Sequence, residues 1–227
     1  MKKIIIVSIL MLLPLLACAY DAEISGIYYI FDPSEMTAEV THGDWNYWQT
    51  ADGEGRYSGE IVIPESVEYN GAVYHVTKIG YCAFCGCSGL TSIVIPSSVT
   101  SLDNNTFENC SGLTSVSVPN SITSIGSTVF DGTPWYDNQP DGLIYIGKVA
   151  YKYKGTMPEN TKIEIKEGTV RIQNNAFSQC YGLTSVTFPH SLTSIGFAAS
   201  SACKGLTSVT IPEGVVSIDE YAFENCI

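Results

Sequence analysis

The side chains able to do chemistry in this chain are few, and their spacing excludes most of what they could do. Of eight cysteines, three are packed into Cys82-x-x-Cys85-x-Cys87. Thiols at such spacing bind zinc or carry a redox disulfide. A closed zinc site wants four ligands, however, and the histidines His42, His75 and His190 sit at unrelated places. His75 follows a hairpin strand and His190 follows Pro189, positions that read as exposed turns. Hydrolysis needs a nucleophile on a sharp turn beside a base, and the chain has no G-x-S-x-G, no H-E-x-x-H and no phosphate-binding loop. Gly53-Glu54-Gly55 lacks a flanking strand and helix and reads as loop. Asp219 and Glu220 are adjacent, so on an extended segment they point apart. The expectation is a chain with no catalytic residue, no metal site and no cofactor, and so not an enzyme.

Aromatic rings are the other candidate. Trp45, Tyr47 and Trp48 lie close in sequence to His42, Asp44 and Asp52, and Trp135 is followed by Tyr136. Rings beside acids and amides are what sugars stack on and what protein hot spots use. The competing reading is that the same rings plug an open core end and fill the gap beside an inserted hairpin.

The elements that must position these groups come from a repeat. Cys87-Ser88-Gly89-Leu90-Thr91-Ser92-Ile93-Val94-Ile95-Pro96 returns 23 residues later as Cys110 to Pro119, then from Cys180 to Pro189 and from Cys203 to Pro212. Cys226 falls one period further on. Each unit runs L-x-x-L-x-L-P, then an apolar pair such as Val99/Leu102 or Ile122/Ile125, then A-F-x-x-C. The first piece alternates inward and outward side chains, the period of a half-buried strand, and proline ends it. One unit cannot bury its own apolar stripe, whereas stacked units share a continuous core. We count six, on Pro64, Pro96, Pro119, Ile163-Glu164-Ile165, Pro189 and Pro212.

This predicts a repeat solenoid with a parallel β ladder and units of about 23 residues. Cys87, Cys110, Cys180, Cys203 and Cys226 then share one repeat position, where a small buried thiol packs against its neighbour. On the outward side of the strands, the concave face, Val94, Ser117, Thr187 and Thr210 align, flanked by Thr/Ser pairs. Such a ribbon suits extended, weak contacts, although good strand formers facing water would have the same composition.

The A-F-x-x-C, G-L-T-S-V and I-P-x-x-V-x-S-I-G runs resemble the BspA-like, or Treponema-type, leucine-rich-repeat proteins of bacterial surfaces. The likeness spans about Ile61 to Cys226, and Tyr20-Asp21 through Tyr28-Tyr29 is also similar to such proteins. The resemblance implies a leucine-rich-repeat fold and a role in adhesion to host matrix proteins or cells. It carries no motif for one ligand.

Three stretches depart from the pattern. Pro64 to Pro96 is nine residues too long and contains Asn70-Gly71 between apolar runs, which predicts a hairpin near 67–76. Repeat language is lost within 131–160, where Gly147-Lys148 separates two more apolar runs, read as a divergent unit projecting a second hairpin. Ser200 stands where other units place Phe84, Phe107, Phe177 or Phe223, which removes a buried ring.

Residues 1–19 form a secretory signal peptide by pattern: Lys2-Lys3, an apolar run from Ile4 to Leu16, and the small-residue site Ala17-Cys18-Ala19. Cys18 is alternatively a lipid-anchor site. Residues 20–60, with strands at Gly26 to Phe31 and Met36 to Val40, are expected to cap the solenoid of 61–227. The stop at Ile227, without a polar closing unit, suggests a truncated sequence or a stacking partner. The apolar leader is too short to span a bilayer and no other stretch qualifies, so no transmembrane span is expected. A net charge of −12 argues against nucleic acid and anionic membranes. The expected location is secreted or bacterial cell surface, and the expected partner an extracellular protein, with a glycan bound through Trp45, Trp48, Trp135 and Tyr136 as the alternative and a structural spacer as a third reading.

Overall fold

Alternation along Ile27-Tyr28-Tyr29-Ile30-Phe31 hands every second side chain to the same face, and the burial follows it: Tyr29 is fully enclosed while Ile30 faces water. In the computed structural model, which describes residues 20–43 and 57–226, this segment is the middle of an antiparallel meander. It is made of β1 (Ala22–Ile24), β2 (Ile27–Asp32) and β3 (Thr37–Thr41). β1 has no counterpart in the sequence reading. It exists because Ser25 and Gly26 both adopt left-handed backbone (φ +52° and +78°), the geometry that joins two strands through a two-residue turn. The leader 1–19, Cys18, Trp45 and Trp48 lie outside the described residues.

Next come β4 (Gly59–Val62), β5 (Ser66–Tyr69) and β6 (Ala72–Ile79). β5 and β6 form the hairpin that Asn70-Gly71 predicts, with both turn residues left-handed. β6 also runs parallel to β3, Thr37 opposite His75 and Val40 opposite Ile79, and so joins the meander to the repeats. His75 is therefore an exposed residue in mid-strand and not in a turn, because strand pairing continues past the hairpin.

The repeats build two parallel ladders rather than one. β7 (Leu90–Val94) and β9 (Ser115–Ser117) extend β4, with Ser92 opposite Ser115. β8 (Ser101–Leu102) and β10 (Ser124–Ile125) extend β6, with Lys78, Ser101 and Ser124 in one column. The apolar pairs of the sequence are thus a second set of strands, too short to carry a readable period. Between the ladders the regular units turn through a left-handed residue, as at Cys82, Asn105, Asn175, Ala198 and Tyr221.

At the divergent unit the first ladder gives way to a single helical turn, α1 (Pro134–Asp137). Thr133 caps it, its Oγ1 accepting from the Tyr136 N–H at 3.2 Å, and Pro134 occupies the first helical position, where no hydrogen bond is lost. The Trp135 N–H donates to the Leu113 carbonyl at 2.8 Å, so the helix stands where a strand would pair. The second ladder is restored by the hairpin of β11 (Gly142–Ile146) and β12 (Val149–Lys154). This hairpin does not simply project: Val149 and Ala150 pair with Arg171 and Ile172.

After it, β13 (Thr161–Glu164) pairs with β15 (Leu183–Thr187). β14 (Arg171–Ile172), β16 (Ser194–Ile195) and β17 (Ser217–Ile218) continue from β12, with Arg171, Ser194 and Ser217 in column. Residues 207–211, expected as the strand of the sixth unit, run irregularly beside β15.

Inside, the inward leucines and isoleucines are joined by a file of rings. Phe84, Phe107 and Phe130 stack at centroid spacings of 5.2 and 5.3 Å. Tyr57 covers one end at 4.4 Å and Trp135 the other at 4.5 Å. Each buried ring or leucine is worth about 1.5–3 kcal/mol relative to exposure. The second half, from Ala150 onward, holds Phe177 but only the small, buried Ser200 one unit on.

Candidate ligand-binding face

Along the first ladder, parallel pairing sets like positions of successive units side by side. Val62 lies opposite Val94, and Val94 opposite Ser117. Ile93 and Ile95, on either side of Val94, point inward and are enclosed, so strand alternation turns this row toward water. Val62 is 66% exposed and Val94 39%, which makes the row apolar at one end and hydroxyl-bearing at the other. Val62 is not among the residues aligned from the sequence because the nine extra residues after Pro64 break its spacing to Val94, yet strand register sets the two opposite each other.

The flanking threonines are partly engaged in stitching units together. Thr114 Oγ1 donates to the Thr91 carbonyl at 3.3 Å, and Thr184 Oγ1 to the Thr161 carbonyl at 3.0 Å. Beyond the helical turn the row resumes with Glu164 opposite Thr187. The ribbon is therefore two patches and not one, and a carboxylate enters the second. Thr210 does not sit on a strand; with Thr187, Phe188 and His190 it lines a groove of about 350 Å³. His190 is exposed in the turn after Pro189.

The aromatic candidates have another placement. Trp135 is half-buried over Phe130, and Tyr136 is buried edge-on to Tyr151 at 6.2 Å, its phenol held above the usual range by burial and then by Asp131 and Asp137 nearby. Tyr57, which the sequence reading passed over, is the best-anchored ring. It accepts from the Tyr28 N–H at 3.0 Å, donates to the Thr41 carbonyl at 2.7 Å, and is pushed far upward by burial. Nothing in its sequence context marks it, since it precedes the repeats.

The repeat cysteines form a column. Cys110, Cys203 and Cys226 donate their S–H to the carbonyls of Phe84, Phe177 and Ser200, at 2.9, 3.0 and 3.0 Å. Cys87, Cys110 and Cys203 are buried, whereas Cys180 and Cys226 are only half-buried. Burial pushes Cys180 up to about 11 and Cys203 up to about 12, the latter helped by Cys180 and Cys226, so both stay neutral thiols. Among the described residues no group of three or more His, Cys, Asp or Glu is arranged to hold a metal ion. No helix among them is long and apolar enough to cross a membrane.

Residues 60–156 and 144–227 match the family described as BspA type leucine-rich-repeat region, in six copies. A leucine-rich-repeat protein from Bacteroides ovatus is similar at 32% identity and a TM-score of 0.51, over 92% of this chain and 51% of that one. A leucine-rich cell surface protein from Faecalibacterium prausnitzii is similar at 26% identity and a TM-score of 0.51, over 90% and 52%. The chain thus spans about half the length of these solved structures. No curated protein matches it.

Proposed function

Because this chain belongs to the BspA-type leucine-rich-repeat family, we propose that it is a secreted or cell-surface solenoid that binds other proteins outside the cell. Its relatives are leucine-rich-repeat proteins, in general not enzymes, and the one from Faecalibacterium prausnitzii is described as a cell surface protein. The observation that supports binding is the row Val62, Val94 and Ser117, held in register and turned outward. A β lattice fixes these side chains before any ligand arrives, so little ordering entropy is lost on contact. Exposed valines supply an apolar anchor and the hydroxyls a rim without charge. The second patch, with the groove that Thr187 and Thr210 line, lengthens the same face.

The test is a panel of extracellular-matrix proteins and a glycan array presented to the full chain and two variants. Ser117→Lys, Thr187→Lys and Thr210→Lys together place three ammonium groups on the face, which must then be desolvated or excluded. Binding to the protein partner should be lost with the circular dichroism spectrum unchanged. Trp45→Ala with Trp48→Ala should leave that binding intact. Loss of glycan binding in the tryptophan variant, with the lysine variant at full affinity, overturns the proposal in favour of a carbohydrate-binding protein. No binding by any form leaves a spacer.

A further inference from the structure

In the turn that opens the first repeat, Cys82 and Cys85 occupy the positions held one unit later by Asn105 and Glu108. Side chains at these two positions meet: the Asn105 amide donates to the Glu108 carboxylate. The Cys85 thiol donates to the Glu108 carboxylate at 4.0 Å, and it and the Tyr81 hydroxyl are near enough to Cys82 to shift its ionisation. The Cys85 N–H donates to the Cys82 carbonyl at 3.1 Å, closing a four-residue turn. Such a turn holds its end Cα atoms within ~7 Å, which overlaps the separation a disulfide requires. Cys82 has the left-handed backbone (φ +51°) that Asn105, Thr128, Asn175, Ala198 and Tyr221 share at this position, so the turn is imposed by the repeat and not by the cysteines. Both residues are buried. Cys87 belongs elsewhere: it continues the column in which Cys110 and Cys203 bond to carbonyls of the preceding turn.

We propose that Cys82 and Cys85 are a redox pair that closes into a disulfide across this turn, with a low-molecular-weight disulfide as the oxidant. The thiolate of one cysteine attacks the oxidant, forming a mixed disulfide and releasing one small thiolate. The other cysteine then attacks the protein sulfur of that mixed disulfide and expels the second. Two electrons and two thiol protons pass from the protein to the oxidant, which leaves as two thiols. In the folded chain, burial and then Cys85 push Cys82 up to about 12 against the pull of the Tyr81 hydroxyl, so exchange there is slow. Closure consequently belongs to folding, when the thiols are still in water, and burial protects the bond afterwards.

The full chain is to be unfolded under reductant, refolded in mixtures of oxidised and reduced glutathione, alkylated under denaturing conditions, and mapped by mass spectrometry. The expected product lacks two of its alkylatable thiols, and the bond maps to Cys82 and Cys85. Cys82→Ser and Cys85→Ser should each abolish that two-thiol loss, and Cys87→Ser should keep it. Slow oxidation of the already folded chain, mapped in the same way, covers a chain or variant that refolds poorly. A full set of alkylatable thiols in both protocols at every glutathione ratio, or a bond that engages Cys87 or Cys110, overturns the proposal.

Discussion

Leu113 and Ser117 sit four residues apart on one repeat and have opposite surroundings, Leu113 fully enclosed and Ser117 exposed. Leu113→Ala removes most of a buried side chain and leaves a cavity, at a cost of about 2–5 kcal/mol. Ser117→Ala should change stability by no more than about 0.5 kcal/mol, as exposed sites do. Equal shifts of the urea midpoint would mean that the inward and outward faces are assigned wrongly. The buried thiols make a second statement at this scale. A free thiol ionises near pH ~8.5, while in the folded chain Cys180 is pushed up to about 11 and Cys203 up to about 12. Folded pKa values above unfolded ones mean that the unfolded state releases its protons first. Their stabilising contribution is complete below the ordinary thiol value and is lost as pH rises toward the folded values. The urea midpoint should be flat below that value and fall above it, and Cys203→Ala should flatten the fall. A midpoint that rises over this range would contradict the assigned burial.

At the scale of elements, legibility followed length. The strands before Pro64, Pro96, Pro119 and Pro189 were readable because five or so residues carry a period of two and a proline closes them. The second ladder was not, since pairs such as Ser101–Leu102 and Ser194–Ile195 are too short for any period. The helix α1 is not foreseen either, because Thr133 and Pro134, its cap and first residue, lie inside a stretch read only as a divergent unit with a hairpin. The outward row was legible at Val94, Ser117 and Thr187 because repeat register implies it; the break at α1 was not, because it depends on Trp135 covering Phe130. A glycine lies at the junction of the two regimes, close against Ile122. Gly147 is left-handed (φ +57°), and a Cβ there would come within 2.6 Å of the Ile122 Cβ and carbonyl oxygen. Gly147→Ala therefore strains the backbone and forces β10 and the hairpin apart, a loss of about 1–3 kcal/mol for the conformation alone. The same change at Gly26, where no atom lies within 4 Å of the added carbon, keeps the backbone strain and omits the clash, so it should cost less. Thermal unfolding of the two variants ranks them.

For the molecule as a whole, the buried side chains divide at the divergent unit into one core ending at Tyr151 and another beginning at Ala150. Stacked units contact only their neighbours, so stability passes from one half to the other through what bridges that rung. The backbone bridge runs through the hairpin: Lys148 donates to the Ile122 carbonyl on one side and accepts from the Val170 N–H on the other, each at 2.8 Å, and β12 pairs with β14. Gln173 reinforces it. Its Nε2 reaches across the rung to the carbonyls of Ile125 at 2.7 Å and Gly126 at 3.0 Å, and the residue is only 3% exposed. Gln173→Leu keeps an apolar body but leaves those carbonyls without this donor, a penalty of about 1–3 kcal/mol for a buried group. The loss falls on the bridge and not on either core. Native-state hydrogen exchange should then report reduced protection in β14 and β16, which lose the direct side-chain tie to the earlier units and keep only the pairing with β12, while β7 to β9 keep theirs through the stacked rings of Phe84, Phe107 and Phe130. A uniform drop across both halves would mean that the two cores open as one cooperative body, and that Gln173 is an ordinary buried amide and not the tie between them.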